Sequence, residues 1–438
     1  MITIIGGGLA GSEAAWQIAK RGIPVILYEM RPLKFTEAHK TEFFAELVCS
    51  NSLKSMEENS PSWILKQELL MADSLIMEAA LKTKVPAGKA LAVDRDAFSR
   101  YITERLMGLK ALKIIREEVT AVPEGLSIIA TGPLTSQGLS QSLAELIGEA
   151  HLYFYDAIAP IIDAESIDYS KVFFQSRYGE NQDYLNCPLN EEEYRIFYNA
   201  LKDADRVTPR PFEKVKVFES CMPIEFLAER GYDTLRYGPM RPVGLIDPRT
   251  GKRPYAVVQL RPENNERTAY NMVGFQTRLR YPEQERVFRL IPGLERAEFL
   301  RYGSIHRNTY INAPKCLNED LSLKNRRNVF IAGQLTGVEG YLESTAMGLL
   351  AAFNAIRRLK SMEFISPPPS SAHGSLVRYL ITSNPKNFQP TNINLSLFPT
   401  VTSPPISQVN IKDRAMKRRL IAEKALAEWK EFIRRINE

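Results

Sequence analysis

The run ITIIGGGLAGSEAA, residues 2–15, decides the fold. An isoleucine-rich stretch reads as a buried strand, the glycines as a turn, and SEAA as the opening of a helix of period near 3.6. Gly6, Gly8 and Gly11 fit GxGxxG, with Gly7, Leu9 and Ala10 between them. A lone GxGxxG is a weak signal, because glycines also serve ordinary turns. Here an acid accompanies it: Glu29 closes the next apolar strand, VILYEM, twenty-three residues after Gly6. A carboxylate there can accept hydrogen bonds from a ribose, while the helix N-terminus faces a pyrophosphate. The segment therefore predicts a dinucleotide site on a parallel sheet.

Two later strands also end in glycine turns. LSIIATGP, 126–133, contributes Gly132, and NVFIAGQLTG, 328–337, contributes Gly333, Gln334 and Gly337 before Gly340 and the apolar stretch STAMGLLAAFNAIRRL. One βαβ unit holds an adenosine, and distant segments that return to it hold the rest of a long flavin dinucleotide. That arrangement favours FAD over NAD. The glycines admit backbone amides close to a flavin, and the helix that follows can aim its N-terminus at the anionic side of the ring.

Composition bounds the remainder. The chain has 438 residues, 44% hydrophobic and 25% charged, enough for two or three domains. No run approaches the ~18 apolar residues of a membrane span. The N-terminus enters a strand without the zones of a signal peptide, so a cytoplasmic protein is expected. Cys49, Cys187, Cys221 and Cys316 are too dispersed for a CxxC pair or zinc knuckle, and no metal is expected. Each reads first as a small buried hydrophobe.

The formal charge of +6 is uneven. Between Arg241 and Tyr310 there are thirteen Lys/Arg against seven Asp/Glu, and from Lys412 to Glu438 nine against five. Clustered cations suit a polyanionic partner, although solvated faces explain such charge equally well. RYGPMRP (236–242) and GFQTRLRYPEQERVFR (274–289) mix aromatics with arginine, as RNA-binding surfaces do. With KDRAMKRR (412–419) they form the candidate RNA surface. No obligate protein partner is visible. In the last helix, Met416, Leu420, Leu426, Trp429, Ile433 and Ile436 read as one apolar stripe.

Together these features predict an α/β protein: a Rossmann-like FAD-binding domain of the glutathione reductase type with an inserted α+β domain. The expected boundaries are 1–155, 156–315 and 316–438, the middle piece carrying Cys221 and the last the basic helix.

With the flavin segments laid beside Cys49 in FFAELVCSNSLKS (43–55), Cys221, HRNTY (306–310) and FQPTNIN (388–394), the whole chain resembles the folate- and FAD-dependent tRNA uracil-5-methyltransferases, the TrmFO family. The resemblance implies methylation of carbon 5 of a T-loop uridine, position 54 of tRNA, on the T-arm. The one-carbon donor would be methylenetetrahydrofolate, and NAD(P)H would reduce the FAD. It assigns the nucleophile that adds to uracil carbon 6 to Cys221, and general-base and flavin-site roles to Cys49. His306, on its residues alone a satisfied core histidine, takes by resemblance a place against the folate pterin. Cys187 and Cys316 read as packing, and His39, His151 and His373 receive no role. Two readings compete: an FAD oxidoreductase acting on a small metabolite, and a relative of the larger flavoproteins that modify wobble uridines. A flavin-bound RNA-binding protein is a third.

Overall fold

The structure, a computed structural model, describes residues 1–148, 152–177, 182–207, 222–264, 267–386, 388–399 and 414–438. Five parallel strands form the first sheet in the order Val329–Ile331, Ser127–Ile129, Ile2–Ile5, Val25–Glu29, Leu112–Arg116. Ile2, Ile4, Leu27, Ile128, Ile129 and all of Val329–Ile331 are fully buried, as strands covered on both faces must be. Helix Leu9–Ala19 lies against helix Tyr341–Leu359. Gly348 permits this approach, because a Cβ there would come within 2.7 Å of the Ala10 Cα.

A six-stranded antiparallel sheet follows, in the order Phe173–Phe174, Leu185–Leu189, Ala256–Pro262, Ala269–Met272, Ile161–Asp163, Phe299–Arg301. Helix Glu191–Asp203 supplies Tyr194, Phe197 and Leu201 to its core, and a reciprocal Asn190–Glu193 cap starts that helix. The two sheets own separate buried clusters. Strands Leu152–Ile158 and Ser304–Tyr310 pair between them, with His306 in register opposite Asp156. The expected boundary after residue 155 falls inside the first of these strands.

The last helix, Arg414–Asn437, returns to the first sheet's core. Its most buried positions are Ile421, Ala422, Ala425, Trp429 and Phe432, with Leu426, Ile433 and Ile436 at their margin. Met416, counted in the expected stripe, is exposed, because the contact begins a turn later. Trp429 donates to the Glu68 carbonyl oxygen at 2.8 Å and stacks on His373, centroids 4.1 Å apart. The His373 ring in turn pairs with the Glu68 carboxylate at 2.6 Å. This histidine is therefore part of a buried brace between three helices. No described helix is long and apolar enough to cross a membrane.

Candidate active site

The first glycine turn is built by exclusion. Gly6 has φ +99°, and a Cβ there would come within 2.7 Å of Ala130 and Thr131 backbone. A Cβ at Gly11 would strike the Gly6 carbonyl oxygen. Gly8 differs: it caps helix Leu9–Ala19 with ordinary angles, and a Cβ on it would meet nothing within 4 Å. It opens instead onto a pocket shared with Gly6, Tyr28, Glu29, Thr131 and Ser136. A bare backbone facing a cavity at a helix N-terminus fits a pyrophosphate. Gly132, φ +66°, turns the chain after strand Ser127–Ile129 beside the same pocket.

Glu29 is placed as expected, but its carboxylate is already engaged. One oxygen accepts from the Arg31 backbone and Nε, each at 3.0 Å, the other from the Gly7 N–H at 2.8 Å and Arg31 Nη2 at 3.3 Å. Burial alone would raise this carboxyl, yet the Arg31 bonds and charge outweigh it and hold it below the ordinary range. An ionised acceptor is therefore ready, and a ribose hydroxyl would share it with Arg31. His39, which no sequence signal distinguishes, also lines the pocket. Burial, reinforced by Arg31, pushes its imidazole down to about 4, so the ring is neutral near pH 7.

The second glycine turn lies close to the first. Gly333, φ +70°, abuts Ala10, where a Cβ would come within 2.8 Å of the Ala10 side chain. Gln334 donates to Glu339 at 2.5 Å. Gly337 and Gly340 have φ +96° and +114°, the latter capping helix Tyr341–Leu359. In that helix's first turn, the Tyr341 hydroxyl accepts from the Cys49 N–H at 2.8 Å. The Cys49 loop thus reaches the N-terminus expected to face a flavin. Burial pushes the Tyr341 hydroxyl far above its ordinary range, leaving it protonated. In the same turn, fully buried Glu343 accepts from Lys54 at 2.5 Å and from the Ile393 N–H at 2.9 Å. FQPTNIN is thereby pinned to the site. Lys66, also fully buried, donates to the Ser55 carbonyl at 2.7 Å; burial pulls its amine down to about 7, against Glu343 and with Lys54.

This two-part cradle on one parallel sheet has counterparts. A family model described as "Glucose inhibited division protein A" matches residues 1–363. Proteins named "Methylenetetrahydrofolate--tRNA-(uracil-5-)-methyltransferase TrmFO" match at 54% identity from Desulforamulus reducens, over 99% of this chain and 97% of the relative, and at 55% from Pelotomaculum thermopropionicum, over 97% and 96%. The chain belongs to the TrmFO family. Among solved structures, Aquifex aeolicus GidA superposes with a TM-score of 0.70 at 17% identity, covering 99% of this chain and 73% of that one. The mixed α/β fold, a Rossmann-like sheet with an added sheet unit, is the one expected.

The structure brings together the two glycine turns, read from the sequence itself, and Cys49, to which the TrmFO resemblance assigns a role. Cys221 lies outside the described residues, as does His151. His306 is placed by its backbone alone, on the strand joining the two sheets. Cys187 is fully buried on strand Leu185–Leu189, where burial pushes its thiol far up, and Cys316 is buried in the first core. Glu225, near Cys221 in sequence, is tied to Thr277 and the Arg278 N–H, each at 2.9 Å. The expected RNA surface divides. In 274–289, Arg286 pairs with Glu283 and Arg289 with Glu285 on one helix, which spends much of that charge locally. Of the expected 236–242 segment, Tyr237 is exposed (80%) and Arg236 stacks 3.7 Å above the Tyr255 ring; Lys252 and Arg253, beyond it, are exposed too and extend the stretch to 236–253.

Proposed function

We propose that this protein methylates carbon 5 of the T-loop uridine at position 54 of tRNA, with methylenetetrahydrofolate as one-carbon donor and FAD, reduced by NAD(P)H, as reductant. The observation carrying this reading is the meeting of Cys49 with the Gly340–Tyr341 helix start, in a chain of the TrmFO family. Gly6, Gly8, Gly11, Glu29 and Gly132 would hold the adenosine and pyrophosphate; Gly333, Gln334, Gly337 and Gly340 would admit the ring. When bound and reduced, FAD supplies the electrons that turn a methylene into a methyl.

The chain's residues do the remaining work. Uracil carbon 5 is a poor nucleophile, so the Cys221 thiolate adds to carbon 6 and carbon 5 becomes nucleophilic. Carbon 5 then bonds to the one-carbon unit of methylenetetrahydrofolate as that unit's bond to the folate nitrogen breaks, the Cys49 thiolate takes the carbon 5 proton, and Cys221 leaves carbon 6 once the methylene is reduced to a methyl. His306 would support the pterin. Residues 156–315 act as an inserted unit that carries Cys221 and presents the 236–253 segment to the T-arm, whose uridine leaves its stack to react.

The test is incubation of wild type and Cys221→Ala with unmodified tRNA, isotope-labelled methylenetetrahydrofolate and NADPH, followed by mass spectrometry of digested RNA. Labelled 5-methyluridine in the T-loop with wild type, absent with the variant, is expected. Flavin reduction without label would instead favour an oxidoreductase of small metabolites.

A further inference from the structure

Cys49 is gripped across the boundary between the two sheets. Arg95 donates to the Leu47 and Cys49 carbonyl oxygens at 2.6 and 2.8 Å, and its Nε pairs with Glu263 just beyond strand Ala256–Pro262. Asn51, fully buried, donates to the Val93 and Pro262 carbonyls, both at 3.1 Å, and accepts from Arg261 Nε at 2.8 Å. Arg301, on the edge strand of the second sheet, reaches back to the Ala38 carbonyl at 3.4 Å.

Charge at this junction is unbalanced. Arg95, Arg261 and Arg301 all lie within electrostatic reach of the Cys49 sulfur. Glu263 serves Arg95, and Glu46 is occupied by Arg31 at 3.0 Å. Among the described residues, neither Arg261 nor Arg301 has a carboxylate within ion-pair distance. The neighbouring phenols, Tyr341 and Tyr184, are pushed toward their neutral forms, chiefly by burial. Buried cations short of counter-charge are costly, and an anion beside them relieves that cost. A thiolate is such an anion.

We propose that Arg261 and Arg301 are positioning residues for Cys49: docking of the second-sheet unit both fixes the Cys49 loop and supplies the positive charge that keeps its sulfur a thiolate. The cysteine belongs to one unit and two of its three cations to the other. Its reactivity is therefore a property of the docked pair, and it is available where the RNA-binding unit is seated. This inference rests on the reading of Cys49 as a base.

The experiment measures iodoacetamide alkylation of Cys49 in the FAD-loaded protein, resolved by peptide mass spectrometry between about pH 6 and 9. Wild type, Arg261→Gln, Arg301→Gln and Glu263→Gln are compared, with flavin content and circular dichroism as fold checks. In wild type the alkylation midpoint is expected below the ~8.5 of a free thiol. Each arginine variant should raise it and slow alkylation near neutrality about threefold or more, whereas Glu263→Gln, which removes the opposing charge, should lower it. Arg301→Lys, which keeps the charge, should restore the wild-type profile. Superimposed profiles overturn the inference, and so does a shift of Glu263→Gln in the same direction as the arginine variants, since that would report a loosened loop. Labelled 5-methyluridine formation is read separately, so the charge effect can stand while the proposed reaction fails, or the reverse.

Discussion

Gly8 and Gly11 share one turn, yet a methyl group added to each meets a different fate. At Gly11 it would collide with the Gly6 carbonyl, so Gly11→Ala should lower the thermal midpoint of the flavin-free protein. At Gly8 it would enter only the pocket. Gly8→Val should therefore leave the flavin-free melting curve nearly unchanged while purified protein loses most of its bound FAD, measured by absorbance. Lys66 offers a second test, with a definite sign. Its amine titrates near 7 when folded and near 10.5 when unfolded, so the unfolded chain binds more protons between those values. The penalty for burying it is full below pH 7 and fades as pH rises toward 10.5. Lys66→Met should stabilise most at or below pH 7, and its advantage in urea titrations should shrink by pH 9.

At the scale of elements, the Trp429 brace predicts a graded loss. Trp429→Ala should cost about 3–5 kcal/mol by chemical denaturation, whereas Trp429→Phe, which keeps a ring on His373 but loses the bond to Glu68, should cost less. Strands Ile2–Ile5, Ser127–Ile129 and Val329–Ile331 are legible in the sequence because a strand buried on both faces is a plain apolar run leading into a glycine turn, and Val25–Glu29, half-buried on one face, is legible as an apolar run that ends in an acid. Their order is not legible, since pairing Val329–Ile331 beside Ser127–Ile129 is a non-local choice. The last helix shows a related limit: its period is readable, but where the packed face begins depends on Glu68 and His373, far away in the chain. Site glycines announce themselves through spacing. His39, Arg95, Arg261 and Lys66 do not, because what makes them matter is burial and neighbours, and neither leaves a local pattern.

For the whole molecule, the uneven charge makes a prediction about RNA. Two of the four arginines in 274–289 are paired within their own helix, so affinity should depend on the 236–253 segment. Tyr237→Ala should weaken tRNA binding through lost stacking of about 1–3 kcal/mol with little change in salt dependence. Arg253→Gln should instead reduce the slope of log affinity against log salt by about 1. Binding titrations at several salt concentrations separate the two.

The strand order has a further consequence, in time rather than in space. Strand Ser127–Ile129 lies between Ile2–Ile5 and Val329–Ile331, and the helix that closes the core over them ends at Asn437. At ribosomal rates of about 5–20 residues per second, the neighbour of Ser127–Ile129 is synthesised roughly 10–40 s after it. Throughout that interval an apolar strand edge stands open beside the future flavin pocket, while the second sheet, whose strands all lie between residues 161 and 301, can close on its own. The unit made in the middle of the chain is thus free to finish folding before the unit that begins it. A nascent chain halted shortly after residue 325 should protect the second sheet from protease and leave the first half cleavable.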